Sequence, residues 1–204
     1  MKVLHLGEET LREVSKPVEK IDENIKSLID EMFVTVKKEN GIGLAAPQVG
    51  ENIRLFIVFI DEQKYVFINP EIIETSQEMC LMEEGCLSIP KVYDDVMRPS
   101  AVKVQFLNID GNIKTIEASG LLARVIQHEN DHLNGVLFID RLSEEKKAEA
   151  IEKFEHKKAL FSKEHKKPCF FIIFIKKAHL KTNDQLPAKD RRNRFQCRKN
   201  FNMP

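Results

Sequence analysis

No stretch of this 204-residue chain approaches the roughly 18 consecutive apolar residues of a membrane span. The apolar run in the C-terminal part, Phe170 to Ile175, is far too short. The first residues, Met1 to Glu9, lack the apolar core of a secretory signal peptide. Cysteine is scarce, with Cys80, Cys86, Cys169 and Cys197 alone. An even count could form disulfides, but nothing else looks secreted, so a reducing cytoplasm is expected, with the cysteines as thiols or metal ligands. Net charge is also absent, with 32 Lys+Arg against 32 Asp+Glu. That balance hides an asymmetry: residues 1–140 carry 14 basic and 24 acidic residues, and residues 141–204 carry 18 and 8. No internal repeat is present.

What is present suffices for one domain with a hydrophobic core. Ile25, Leu28, Ile29, Met32, Phe33 and Val36 recur at helical spacing over 23–38, and Asn40-Gly41 is a stop signal. The segment Gly41 to Gly50 is rich in glycine and small residues and reads as a loop held close to something. Arg54 to Ile60, Tyr65 to Ile68 and Ile72 to Met79 read as strands. Ala101 to Leu107 and Ile113 to Ala118 alternate apolar and polar about Asp110-Gly111, a hairpin pattern. Ser119-Gly120 opens a helix carrying Leu121, Leu122, Val125, Ile126 and Leu133. Ser143 is an N-cap for another, through about Lys158, without a complete capping box because Lys146 stands three residues on. The expected fold class is α+β with antiparallel sheets.

The sharpest motif is His128-Glu129-Asn130-Asp131-His132. Histidines at i and i+4 lie about 40° apart around a helix and one turn along, so both imidazoles reach one ion. Glu129 then sits beside a metal-activated water. A catalytic site needs a third protein ligand and keeps one open position. A metzincin pattern fails, because Phe138 stands where histidine would be. A thermolysin-like site could recruit Glu149 or Glu152. The remaining option is a cysteine such as Cys86, although a buried free thiol is the commoner fate of such a residue.

Three segments, in order, make the chain resemble peptide deformylases over about residues 5–160. Gly41 to Gln48 is similar to that family's glycine-rich motif, Glu84-Gly85-Cys86-Leu87-Ser88 to its second motif, and Gln127 to Leu133 to its third. The resemblance implies antiparallel sheets packed around a central HExxH helix. It also implies a metal-dependent hydrolase that removes the formyl group from N-terminal formylmethionine of nascent polypeptides and releases formate. By the same resemblance Cys86, His128 and His132 are metal ligands and Glu129 is the acid/base. Gln48 and the backbone N–H of Leu87 stabilise the oxyanion. Gly43 meets substrate through its backbone, and Ile42, Leu122, Val125 and the stem of Arg124 line the methionine pocket. The implied cofactor is one divalent ion, Fe(2+), with Zn(2+), Ni(2+) or Co(2+) able to substitute. Fe(2+) beside a thiolate is oxygen-sensitive, which again suits the cytoplasm.

Two features depart from the family. Tyr93 stands where many relatives hold a basic residue, so peptide contacts are expected to differ, with Arg124 supplying charge from another direction. The expected catalytic domain is 1–162, followed by a basic extension, 163–204, which matches nothing in the family. It reads as a solvated or disordered segment. Transient ribosome contact through it is the alternative, which charge alone carries weakly; no stable nucleic-acid complex and no membrane contact are expected. Two rival readings remain: an HExxH endopeptidase using Glu149 or Glu152, and a closed structural metal site in a translation-associated binding module.

Overall fold

The computed structural model describes residues 1–163, with side-chain surroundings described through residue 158. The extension expected from residue 163 therefore lies, past its first residue, outside the described part. Helix α1 (Glu23–Lys38) starts where Asp22 Oδ1 accepts the N–H groups of Asn24 and Ile25 at 3.0 and 3.1 Å. It stops where Asn40 turns to φ 54° and the Gly41 N–H closes onto the Val36 carbonyl.

The segment expected as a loop holds more order than that. It contains a short strand, β1 (Gly43–Ala45), and a 3-10 turn, Ala46–Val49, ended by Gly50 at φ 91°. β2 (Leu55–Ile60) follows. The two runs expected as separate strands around Asn69-Pro70 merge into one, β3 (Gln63–Thr75), with a register shift between Ile68 and Glu71. Asn69 sits at that bulge with φ 50°, and its amide brackets the backbone of Val18 at 2.8 Å on both sides. A hairpin not expected from sequence then appears, β4 (Met79–Cys86) and β5 (Ile89–Pro99). The hairpin expected around Gly111 is β6 (Ala101–Leu107) and β7 (Ile113–Ser119). Helix α2 (Gly120–Leu133) carries the HExxH motif, and α3 (Glu144–Lys163) begins with Ser143 Oγ accepting the Lys146 N–H at 3.4 Å.

The strands form an antiparallel five-stranded sheet, ordered β1-β2-β3-β6-β7, and the separate β4-β5 pair. β2 shows why one strand can be apolar throughout. Phe56 and Val58 pack with Val125, Ile126 and Leu133 of α2, while Leu55 and Ile57 pack with Ile29, Met32, Phe33 and Val36 of α1. On the side of β4-β5, Cys86, Ile89, Val92 and Val96 close a third cluster with Phe138. The fold is α+β, with the metal-motif helix between its two sheets. No helix among the described residues is long and apolar enough to cross a membrane. Cys86 is a free, buried thiol.

Candidate metal centre

Cys86 ends β4, just past a register shift after Gly85. Its sulfur lies 3.2 Å from Nε2 of His132, and the rings of His128 and His132 are 5.2 Å apart. One ligand atom from each of Cys86, His128 and His132 lies within 4.8 Å of the others, and all three residues are buried. Sequence alone left the third ligand open among Cys86, Glu149 and Glu152. Both glutamates are exposed on α3, and Glu149 pairs with Lys153 at 3.3 Å. The endopeptidase reading therefore has no third donor at this point. A closed structural site wants four protein donors, and the cluster has three among the described residues.

The donors fit a divalent ion. Buried polar atoms are costly unless paired. Here Glu129 Oε2, beside the cluster, has no hydrogen-bond partner among the described residues. One sulfur and two imidazoles are the mixed soft and borderline set that suits Fe, Zn, Co or Ni. Burial lowers the pKa of His132 well below the ordinary histidine value, aided by the charge on His128. Burial would do the same to His128, but hydrogen bonds to Cys86 and Glu84 outweigh it and hold that ring well above the ordinary value.

Glu84 had no assigned role in the sequence reading, and it organises the site. Its Oε1 accepts from Arg98 Nε (2.7 Å) and Arg124 Nη1 (2.8 Å). Its Oε2 accepts from Arg98 Nη2 (3.0 Å) and His128 Nδ1 (2.9 Å). Burial would raise its pKa, yet His128 and Arg98 hold it well below the carboxylate range. The carboxylate accepts a hydrogen bond from Nδ1–H of His128 and so aims Nε2 at the cluster. Arg98 also donates to Asp131 at 2.7 Å, and Arg141 grips the same carboxylate at 2.6 and 3.1 Å. No sequence signal marked Glu84, because the strand that carries it was not legible; in the structure it stands two residues before Cys86 on β4. Arg98→Met leaves Glu84 and Asp131 short of a buried cation and is expected to destabilise the fold by about 3–5 kcal/mol. A denaturant titration checks this, and an unchanged midpoint counts against the network.

Glu129 is buried beside the cluster, and burial pushes its pKa up to about 7. A cation at the neighbouring ligands favours its carboxylate form. Gly43 explains itself here. A Cβ on it would collide with the Glu129 carboxylate and stand 2.8 Å from Val125 Cγ1. Gly43→Ala is thus expected to displace Glu129 and lower turnover on the order of 10²-fold, with little change in melting temperature. Wild-type turnover would show that Glu129 has room to spare.

Gln48 combines two readings, a loop amide and a donor at the site. Its Oε1 accepts the Ala45 N–H at 2.8 Å, which turns its Nε2 toward Ser88 Oγ (3.1 Å) and Cys86 Sγ (3.4 Å). Ile42, Gly43, Gln48, Leu87, Arg124, Val125, His128 and Glu129 share one cavity, with Glu84 and Gly85. One residue lies apart from that cavity, and one expectation is corrected. Leu122 does not line that cavity; it packs half-buried against the cluster between α2 and the large sheet. The guanidinium of Arg124 offers no charge toward a peptide, because Glu84 and the carbonyls of Val96 and Cys80 engage it. Tyr93 lies opposite Gly85, where a Cβ would meet its ring at 2.6 Å.

Three donors around one point, an adjoining buried carboxyl, a tethered amide and a cavity at their side define a metal-dependent hydrolase. Comparison with known proteins sharpens that class. The family model described as polypeptide deformylase matches residues 1–148. A peptide deformylase of Treponema pallidum is 46% identical over 154 residues, covering 76% of this chain and 95% of that protein. The crystal structure of a peptide deformylase from Legionella pneumophila matches with a TM-score of 0.77 and 42% identity, over 80% of this chain and 98% of that one. One from Synechococcus elongatus matches with a TM-score of 0.73 and 44% identity, over 76% and 85%. The chain belongs to the polypeptide deformylase family, hydrolases that remove the formyl group from the N-terminal formylmethionine of nascent polypeptides.

Proposed function

We propose that Cys86, His128 and His132 hold one divalent ion, Fe(2+) in the cell, and that the cavity beside them takes the formylmethionine end of a nascent chain. The observation that carries this is the convergence of those three donors within 4.8 Å beside buried Glu129. A divalent ion there supplies Lewis-acid activation of water and of the formyl carbonyl. Glu129 accepts the proton of the attacking water and passes it to the amine as the C–N bond breaks, so that formate and a free N-terminus leave. Gln48 Nε2 and the Leu87 N–H donate to the oxyanion as it forms. Each such donor contributes about 2.7–4 kcal/mol to the transition state in comparable sites.

Ile42, Val125 and the stem of Arg124 form the walls against which the methionine side chain packs, with Leu122 behind them. β1 is the edge strand of its sheet, so Gly43 presents backbone to an extended peptide without a side chain in the way. The thiolate ligand makes the Fe(2+) form sensitive to oxygen, which suits a reducing cytoplasm. Transient ribosome contact is assigned to the basic extension.

Formate release from formyl-Met-Ala-Ser by anaerobically purified, Fe(2+)-loaded protein tests this reading, with acetyl-Met-Ala-Ser as control. Cleavage of the formyl peptide alone is expected. Comparable cleavage of the acetyl peptide would show a broader amidase.

A further inference from the structure

Arg124 carries a guanidinium that the reaction as described does not use. It lies on α2 one turn before His128 and is 2% exposed. Its side chain forms part of the cavity wall with Ile42, Gly43 and Val125. Its guanidinium donates to Glu84 Oε1 (2.8 Å), the Val96 carbonyl (2.9 Å) and the Cys80 carbonyl (2.6 Å). The other oxygen of Glu84 accepts from His128 Nδ1 at 2.9 Å.

We propose that Arg124 is a positioning residue that couples filling of the substrate pocket to the orientation of the His128 ring, through Glu84. The inference rests on the metal-centre reading above. A guanidinium is a planar fork with fixed donor directions, so a shift of its stem moves every bond it makes. The apolar stem suits contact with a long unbranched side chain while the head stays with its acceptors. Arg98 makes two further bonds to Glu84, so that carboxylate keeps a partner without Arg124. Arg124 therefore adds a further fixed direction on Glu84 Oε1, whose burial Arg98 already supports.

The test uses the full chain loaded with Co(2+). Arg124→Met keeps the stem and removes the donors. It is expected to speed Co(2+) release to a chelator about tenfold, the low end of the loss from removing a ligand's hydrogen-bonded support, and to shift the visible spectrum of the bound ion. On formyl-Met-Ala-Ser its kcat should fall about tenfold while KM stays within about twofold, the pattern of an interaction made in the transition state. The advantage of formyl-Met over formyl-Ala peptides in kcat should shrink, because filling the pocket no longer reaches the metal. In a Glu84→Gln background the same change should add nothing to Co(2+) release. Arg124→Lys, which can reach fewer acceptors, should fall between wild type and Arg124→Met and serves if the methionine variant does not fold. Wild-type Co(2+) release with only KM altered, or additive effects in the double variant, would overturn the coupling. Failure of the metal-centre reading is separable: the wild-type Co(2+) protein would then lack a thiolate charge-transfer band.

Discussion

Glu129→Ala is expected to keep the metal and lose turnover of formyl-Met peptides by about 10²–10⁴-fold, the range that a positioned general acid/base contributes. Glu129 is not among the three clustered donors. Its carboxyl lies against Gly43, and one of its oxygens has no hydrogen-bond partner among the described residues. A buried carboxyl left unpaired costs stability, so its loss should not weaken the fold. Metal content by elemental analysis and formate release, measured together, separate the outcomes. Full metal with no turnover is the expected pair. Retained turnover would remove Glu129 from the chemistry, and lost metal would make it a ligand.

Cys86→Ser is expected to lose both metal and activity. The serine hydroxyl is a poor ligand near neutrality, and two imidazoles alone do not make a stable site. The loss in affinity should exceed the about 10–100-fold that follows removal of a ligand's hydrogen-bonded support. Serine is close to cysteine in volume, and Cys86 sits in a cluster with Ile89, Val92 and Phe138, so folding should survive. The variant also separates this account from an endopeptidase whose third ligand is an acid on α3, since such a site would bind metal as well with serine as with cysteine. A wild-type affinity in Cys86→Ser would therefore be decisive against the sulfur.

The HExxH helix was legible in the sequence because the i, i+4 spacing fixes both rings on one face wherever the helix packs. The helix over 23–38 and the hairpin about Gly111 were legible for the same kind of reason, a period plus a stop or turn signal. The β4-β5 hairpin was not. Pro90 and Pro99 sit near the two ends of its second strand, and Glu83, Glu84, Asp94 and Asp95 load the pair with charges, of which Glu84 is buried where Arg98 and Arg124 meet it. Residues 41–50 read as a loop because small residues carry no period. Their smallness is what lets the backbone of β1 lie against Glu129 and Val125. Composition could not say that Arg124 turns its charge inward. A cation near a predicted peptide site reads as a substrate contact until its acceptors, the Glu84 carboxylate and two carbonyls on the same hairpin, are in place.

X-ray absorption on the Zn(2+)-loaded protein tests the central arrangement most directly. One sulfur at about 2.3 Å and imidazole nitrogens at about 2.0–2.1 Å are expected in the first shell, with an oxygen completing it. A first shell of nitrogen and oxygen alone would contradict the joint grip of Cys86, His128 and His132 on one ion.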